Sequence, residues 1–312
     1  GSMTVDGQRI RCWRSAGHGS QDLADGVCNS CNCVFMSLAL SLGTERFYDA
    51  ISAFGFGSKT NVDFFGESAG IVMQEDSVKT VDLARIGFGQ AIAVTPLQLI
   101  TAVCAAVNGG TLYEPYFLKE AHSADGTLVY SREPKVVGNP ISSGTSEKLR
   151  ELLVGVVENG GGTRAQVDGI KIGGKTGTAQ KYENGAVASG KYVSSFVGFA
   201  PADDPQYAVL FIVDEPSGYT YYGSLTAAPY AGRIFSRIAD GEGWLREETE
   251  EKTYISMPDV TGMEQADAVR TLEEAGLVVE TAGDGRTVST VPAAGESVAV
   301  GDVVLARCED ST

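Results

Sequence analysis

Basic residues are scarce: 24 Lys and Arg stand against 40 Asp and Glu in 312 residues, a formal net charge of −16. Phosphate binding needs clustered cations, so this balance excludes nucleic acid as a partner. Long apolar runs are missing too. The longest, residues 34–42, is too short to span a bilayer and is interrupted by serine, so any membrane anchor is expected outside this sequence. No secretory leader opens the chain, and Gly1-Ser2-Met3 reads as an expression scar. Histidine occurs only at positions 18 and 122. That removes the His pairs of finger-type zinc sites.

What remains suits a soluble globular protein. Hydrophobic residues make up 43% and charged residues 21%, and the length allows one or two domains with a sizeable core. Residues 255–312 hold eleven acids and three bases, a solvated face that disfavours charge-driven binding to an anionic polymer. Six cysteines lie at 12, 28, 31, 33, 104 and 308. The run Cys28-x-x-Cys31-x-Cys33 has no second ligand pair at finger-like spacing, so no metal site and no cofactor are expected.

Residues 5–27, polar and Gly-rich, are expected to be loop. Ser30 or Asn32 would cap a helix over the apolar segment that Gly43 ends, and residues 44–54 carry Phe47, Ile51 and Phe54 at helical spacing. Thr95 as N-cap with Pro96 at the first helical position predicts a buried helix to Val107, stopped by Asn108-Gly109-Gly110. Short extended pieces follow over 111–140. Residues 146–157 form a helix with Leu149, Leu152, Leu153 and Val156 on one face, stopped by Asn159-Gly160-Gly161-Gly162. Three strands then predict an antiparallel sheet: the stretch around Lys175, residues 192–200 and residues 207–213, with a turn at Glu183-Asn184-Gly185. A closing helix is expected over 227–239. After a charged linker, a smaller unit carries a helix over 264–275 ended by Gly276, and strands at 277–280, 287–291 and 303–306.

The chemistry centres on Lys175-Thr176-Gly177-Thr178-Ala179, a cation and two hydroxyls in a Gly-flanked strand where a carboxylate can approach the backbone. This element follows Ser30-Cys31-Asn32, Gly87-Phe88-Gly89-Gln90, Thr95-Pro96-Leu97-Gln98 and Asn108-Gly109-Gly110. In that order and spacing the chain resembles the class B penicillin-binding proteins, peptidoglycan D,D-transpeptidases. Pro258-Asp259-Val260-x-Gly262 and Val291-Pro292-x-x-Gly295-x-x-Val298-x-x-Gly301 resemble a PASTA domain. Cys12-Trp13 and Asn29-Ser30-Cys31-Asn32, with one PASTA unit, are most similar to the sporulation-specific stage V sporulation protein D type.

The resemblance implies an α+β fold: the C-terminal part of a transpeptidase domain over 4–243, a linker over 244–254 and a small β-α-β-β PASTA unit over 255–310. It also implies site roles. Ser30 relays a proton toward the leaving amine, Asn32 bonds the substrate amide, and Lys175 holds positive charge in the site. Thr176 and Thr178 flank the substrate strand, Thr178 grasping the terminal carboxylate, and Gly177 leaves room for backbone approach. The implied partners are peptidoglycan stem peptides, β-lactams and other cell-wall synthesis proteins. The implied location is the outer face of the cell membrane, held by an N-terminal anchor.

The family's nucleophile and its base form Ser-x-x-Lys, and no such spacing occurs in these 312 residues. It is expected upstream of residue 4, and the chain alone is expected to be inactive. With the first strands of the family's sheet also upstream, residues 207–213 are expected to lack a neighbour, giving either self-association through that edge or a locally rearranged core. Cys12 and Cys31 are a candidate redox pair, since a disulfide through Cys31 would distort the Ser-x-Asn element. Free buried thiols are the alternative. The competing functional class is a non-catalytic peptidoglycan-binding or scaffold protein.

Overall fold

Asp6 and Gly7 both take positive φ, 48° and 75°, the backbone of a tight two-residue turn. They join β1 (Ser2–Val5) to β2 (Gln8–Arg11) in antiparallel register. The polar segment 5–27 is therefore not all loop. Its Asp-Gly pair builds a hairpin, and Asp22, through a capping box with Asp25, starts a short helix α1 (Leu23–Cys28). These local hydrogen bonds outweigh the low hydrophobicity from which a loop was expected. The computed structural model describes residues 1–183, 186–218, 220–244 and 253–309. The expected turn at Glu183-Asn184-Gly185 and most of the linker over 244–254 lie outside the described residues.

Two units make up the chain: Gly1–Pro216 with Thr220–Trp244, and Leu245–Thr312 with Ser217–Tyr219. In the larger unit α2 (Asn32–Leu42) ends at Gly43, as its sequence predicts, and α3 (Thr44–Ala53) follows at once. The N-cap of α2 is Cys31, with Asn32 as first helical residue. A further helix, α4 (Thr80–Gly87), packs on α2. Then α5 (Pro96–Val107) starts at a capping box of Thr95 and Gln98. The Gln98 amide also donates to the carbonyls of Ser58 (2.7 Å) and Ala69 (2.9 Å), pinning the loop before it.

Two small hairpin-like pairs follow, β3 (Leu112–Tyr113) with β6 (Val136–Gly138) and β4 (Glu120–His122) with β5 (Leu128–Ser131). Helix α6 (Ser143–Asn159) leads to β7 (Gly173–Glu183), β8 (Ala186–Ala200) and β9 (Tyr207–Asp214). They form an antiparallel sheet in the order β7-β8-β9, with Lys175 opposite Val197 and Gly177 opposite Ser195. Among the described residues β9 pairs with β8 alone, so its other edge carries no strand. The short α7 (Gly223–Thr226) and α8 (Ala228–Glu242) close the unit.

Apolar packing explains where the sheet sits. Phe196 of β8 is buried with Val157, Ile172, Ala231 and Phe235, and Phe199 with Val107, Val154 and Ala202. A Cβ at Gly173 would strike the Phe199 ring, and one at Gly174 the Phe196 ring. Two glycines in succession therefore let β7 lie flat on both aromatics and deliver Lys175 as the next residue.

The smaller unit contains β10 (Tyr254–Ser256), α9 (Gln265–Glu274), β11 (Val278–Ala282), β12 (Arg286–Val291), β13 (Ser297–Ala299) and β14 (Val303–Glu309). Strand β14 lies between β11, to which it is parallel, and antiparallel β12. The expected helix and three strands are present, and the structure adds the pair β10 and β13. Val260, Leu272, Val304 and Ala306 fill its core.

Phe196 is fully buried. Phe196→Ala is expected to lower the stability of the larger unit by about 3–5 kcal/mol, read from its urea transition. A loss below about 1 kcal/mol would mean that the sheet does not rest on this ring.

Candidate active site

Three segments distant in sequence converge where β7 begins. The α1–α2 turn brings Ser30, whose φ of 49° is left-handed and uncommon for a residue with a Cβ. The turn is held by Ser30 N–H to Val27 O (3.2 Å) and Cys31 N–H to Gly26 O (3.0 Å). Strand β7 brings Lys175. Its Nζ donates to Ser30 Oγ at 2.8 Å and to Thr176 O at 3.0 Å. The loop after α6 completes the wall: Gly161 N–H bonds Cys28 O at 3.4 Å, and a Cβ there would lie 3.4 Å from Thr176 Oγ1.

Lys175 is the electrostatic centre of this arrangement. Burial lowers it from the usual lysine value of 10.5 to about 8, opposed only by a nearby Cys28. Its ammonium is thus an acid able to give up a proton near neutral pH. Held against the hydroxyl of Ser30, it can pass a proton to that oxygen or, once neutral, take one from it.

Asn32 does not face Lys175 through any hydrogen bond of the structure. Its Nδ2 donates to Arg11 O at 3.2 Å, tying α2 to the hairpin. Thr178 Oγ1 accepts from Gly223 N–H at 3.0 Å, which leaves the hydroxyl proton to donate outward. The room beside Gly177 is used by the chain itself, since a Cβ there would stand 2.5 Å from Ser195 Oγ. Tyr192 and Tyr221 stack at 3.8 Å between centroids, next to Tyr222. Sequence reasoning named neither Gly223 nor this aromatic group; both come from elements whose contact with β7 only the fold creates.

The cysteines are also brought together. Cys12, on leaving β2, and Cys31 are buried and free, and their sulfurs and a ring nitrogen of His18 all lie within 4.8 Å of one another. Burial raises the Cys31 thiol, but the backbone amides of Val34 and Cys33 and the side chains of Gln21 and Cys12 bring it below the ordinary 9.0. Burial and Arg14 lower His18, which favours neutral imidazole.

Comparison with known proteins shows the family. The profile of the Penicillin binding protein transpeptidase domain matches residues 2–238, and that of the PASTA domain residues 255–305. The chain belongs to the penicillin-binding protein transpeptidase family. It is 41% identical over 314 residues to "Stage V sporulation protein D" of Bacillus subtilis strain 168, covering 97% of this chain and 48% of that protein. To "Peptidoglycan D,D-transpeptidase FtsI" of Escherichia coli K12 it is 29% identical over 72% of this chain and 38% of the other. The chain spans about half or less of these relatives' lengths. Among solved structures, penicillin binding protein 3 of Mycobacterium tuberculosis in its apo form superposes with a TM-score of 0.72 at 28% identity, covering 78% of this chain and 56% of the other. The same protein complexed with ampicillin gives 0.72 over 80% and 57%.

The lowered Lys175 value fixes a pH signature. The unfolded chain holds this proton more tightly than the folded one, so folding is opposed while the ammonium is charged. That opposition is full below pH about 8 and vanishes as pH rises toward 10.5. The stability of wild type relative to Lys175→Met should therefore increase between those pH values, by on the order of 3 kcal/mol. Denaturant titrations of both proteins across the range measure it, and a flat difference would show that Lys175 is not desolvated.

Proposed function

We propose that the parent of this chain is a serine-type peptidoglycan D,D-transpeptidase. These residues form the wall of its site that receives the terminal carboxylate and handles the leaving-group proton. The supporting observation is the 2.8 Å bond from Lys175 Nζ to Ser30 Oγ, made within a family that includes peptidoglycan D,D-transpeptidases. In this reading a serine elsewhere in the parent attacks the penultimate D-Ala carbonyl, and an acyl-enzyme forms as D-Ala departs. Ser30, fed by Lys175, donates the proton that the departing amine needs. Thr176 and Thr178 bond the terminal carboxylate, and the cation of Lys175 favours that anion. Asn32 turns to the substrate amide when it leaves Arg11.

The substrates are peptidoglycan stem peptides, with β-lactams as mimics, and cell-wall synthesis proteins are the expected partners. Among the described residues no helix is long and apolar enough to cross a membrane. The extracytoplasmic face of the cell membrane is the location that fits this reading. Because Ser-x-x-Lys does not occur in the 312 residues, incubation with a fluorescent penicillin followed by intact-mass measurement is expected to show no stoichiometric adduct. An adduct at one per chain would overturn the assignment of the nucleophile to another segment.

Cys12 and Cys31 form the redox pair of this reading. Exchange with a disulfide of an oxidoreductase would remove two protons and two electrons and join the sulfurs, tethering the end of β2 to the Ser30–Asn32 turn. Differential alkylation tests the pair: Cys12 and Cys31 should lose reactivity together under an oxidising thiol buffer and regain it with reductant. Unchanged labelling of Cys31 would refute it.

A further inference from the structure

Outside the transpeptidase wall, the fold gathers a soft ligand set that no sequence spacing announces. Cys12 leaves β2, His18 lies in the loop that follows, and Cys31 caps α2. Their ligand atoms fall within 4.8 Å of one another, and Cys12 Sγ to His18 Nδ1 is 3.8 Å. Two thiolates about 2.3 Å and an imidazole nitrogen about 2.0 Å from a tetrahedral zinc stand roughly 3.5–3.8 Å apart. The Cys12 Sγ to His18 Nδ1 separation needs to close by only a few tenths of an ångström.

The surroundings of the cluster point the same way. His18 presents Nδ1 to Cys12 Sγ, and its ring is packed against Trp13 at 5.2 Å. The three residues also line an open cleft of about 770 Å³, shared with Gln21, Cys33 and Ser37. The cleft provides a path for an ion and space for a fourth ligand.

We propose that Cys12, His18 and Cys31 bind a divalent zinc ion, with solvent in the fourth position. Binding is not a redox step: two thiols become thiolates, two protons pass to buffer and the imidazole binds as the neutral base. The ion clamps the hairpin and the 12–22 loop to the Ser30 turn. It also keeps Cys12 and Cys31 from being oxidised while it is bound. The site does not depend on the transpeptidase reading, since its ligands and its test are independent of peptidoglycan.

The test uses the full chain, reduced with a phosphine. After equilibration with zinc and gel filtration, one zinc per chain is expected by elemental analysis. Zinc at saturating concentration should raise the melting temperature of the larger unit by about 5–10 °C. Cobalt in place of zinc should give a thiolate-to-metal charge-transfer band and the intense visible bands of a tetrahedral site, and should quench Trp13. Cys12→Ser and His18→Gln should lose the retained zinc, whereas Cys33→Ser and Cys104→Ser should keep it. The cobalt spectrum of the unmodified chain counts thiolate ligands even where a variant fails to fold. No retained zinc in the reduced chain, zinc retained by folded Cys12→Ser, or an octahedral cobalt spectrum would each overturn the proposal.

Discussion

A buried ammonium without a carboxylate to pair with it sets the terms for the larger unit. Lys175 makes no salt bridge among the described residues, and its ammonium donates to a hydroxyl and a carbonyl. Such a group is tolerated only where the surrounding structure holds it. The supports are visible in the neighbouring packing. Gly173 and Gly174 let β7 press onto Phe199 and Phe196, and the left-handed Ser30 presents its hydroxyl from the opposite side. Strain in the turn and desolvation of the cation are two parts of one arrangement, because each holds a reactive group where relaxation would withdraw it.

Much of the fold was legible because its signals are local. Thr95-Pro96 with Gln98 marks a helix start by satisfying end N–H groups, Gly43 stops α2, and the continuous apolar run over 207–213 marks β9. Residues 5–27 were misjudged on polarity, although Asp6-Gly7 carried a hairpin signal in plain view. The helix α4 went unread between Gly-rich segments. The three-stranded order followed from short connections, while the pair β10 and β13 joins residues more than forty apart and leaves no local trace.

The site divides in the same manner. Ser30 and Lys175 could be named from motif order, but their contact spans 145 residues, a closure that no spacing expresses. His18 looked isolated because its partners are Cys12 and Cys31 rather than a second histidine nearby. The run 28-31-33 drew attention to spacing, yet the cluster that forms takes one cysteine from that run and one from before the loop. Ligand sets assembled by tertiary contact escape any pattern read along the chain.

Gln98 illustrates how order can be lent from one element to another. A single amide, itself almost fully buried, meets two carbonyls of a loop that has little regular structure of its own, while its oxygen accepts the N–H of Thr95. The loop between Ser58 and Ala69 thus shares its anchor with the first turn of α5. Pulling the loop away would leave a buried amide without its two acceptors, so the irregular stretch is held by the same desolvation cost that holds the start of the helix.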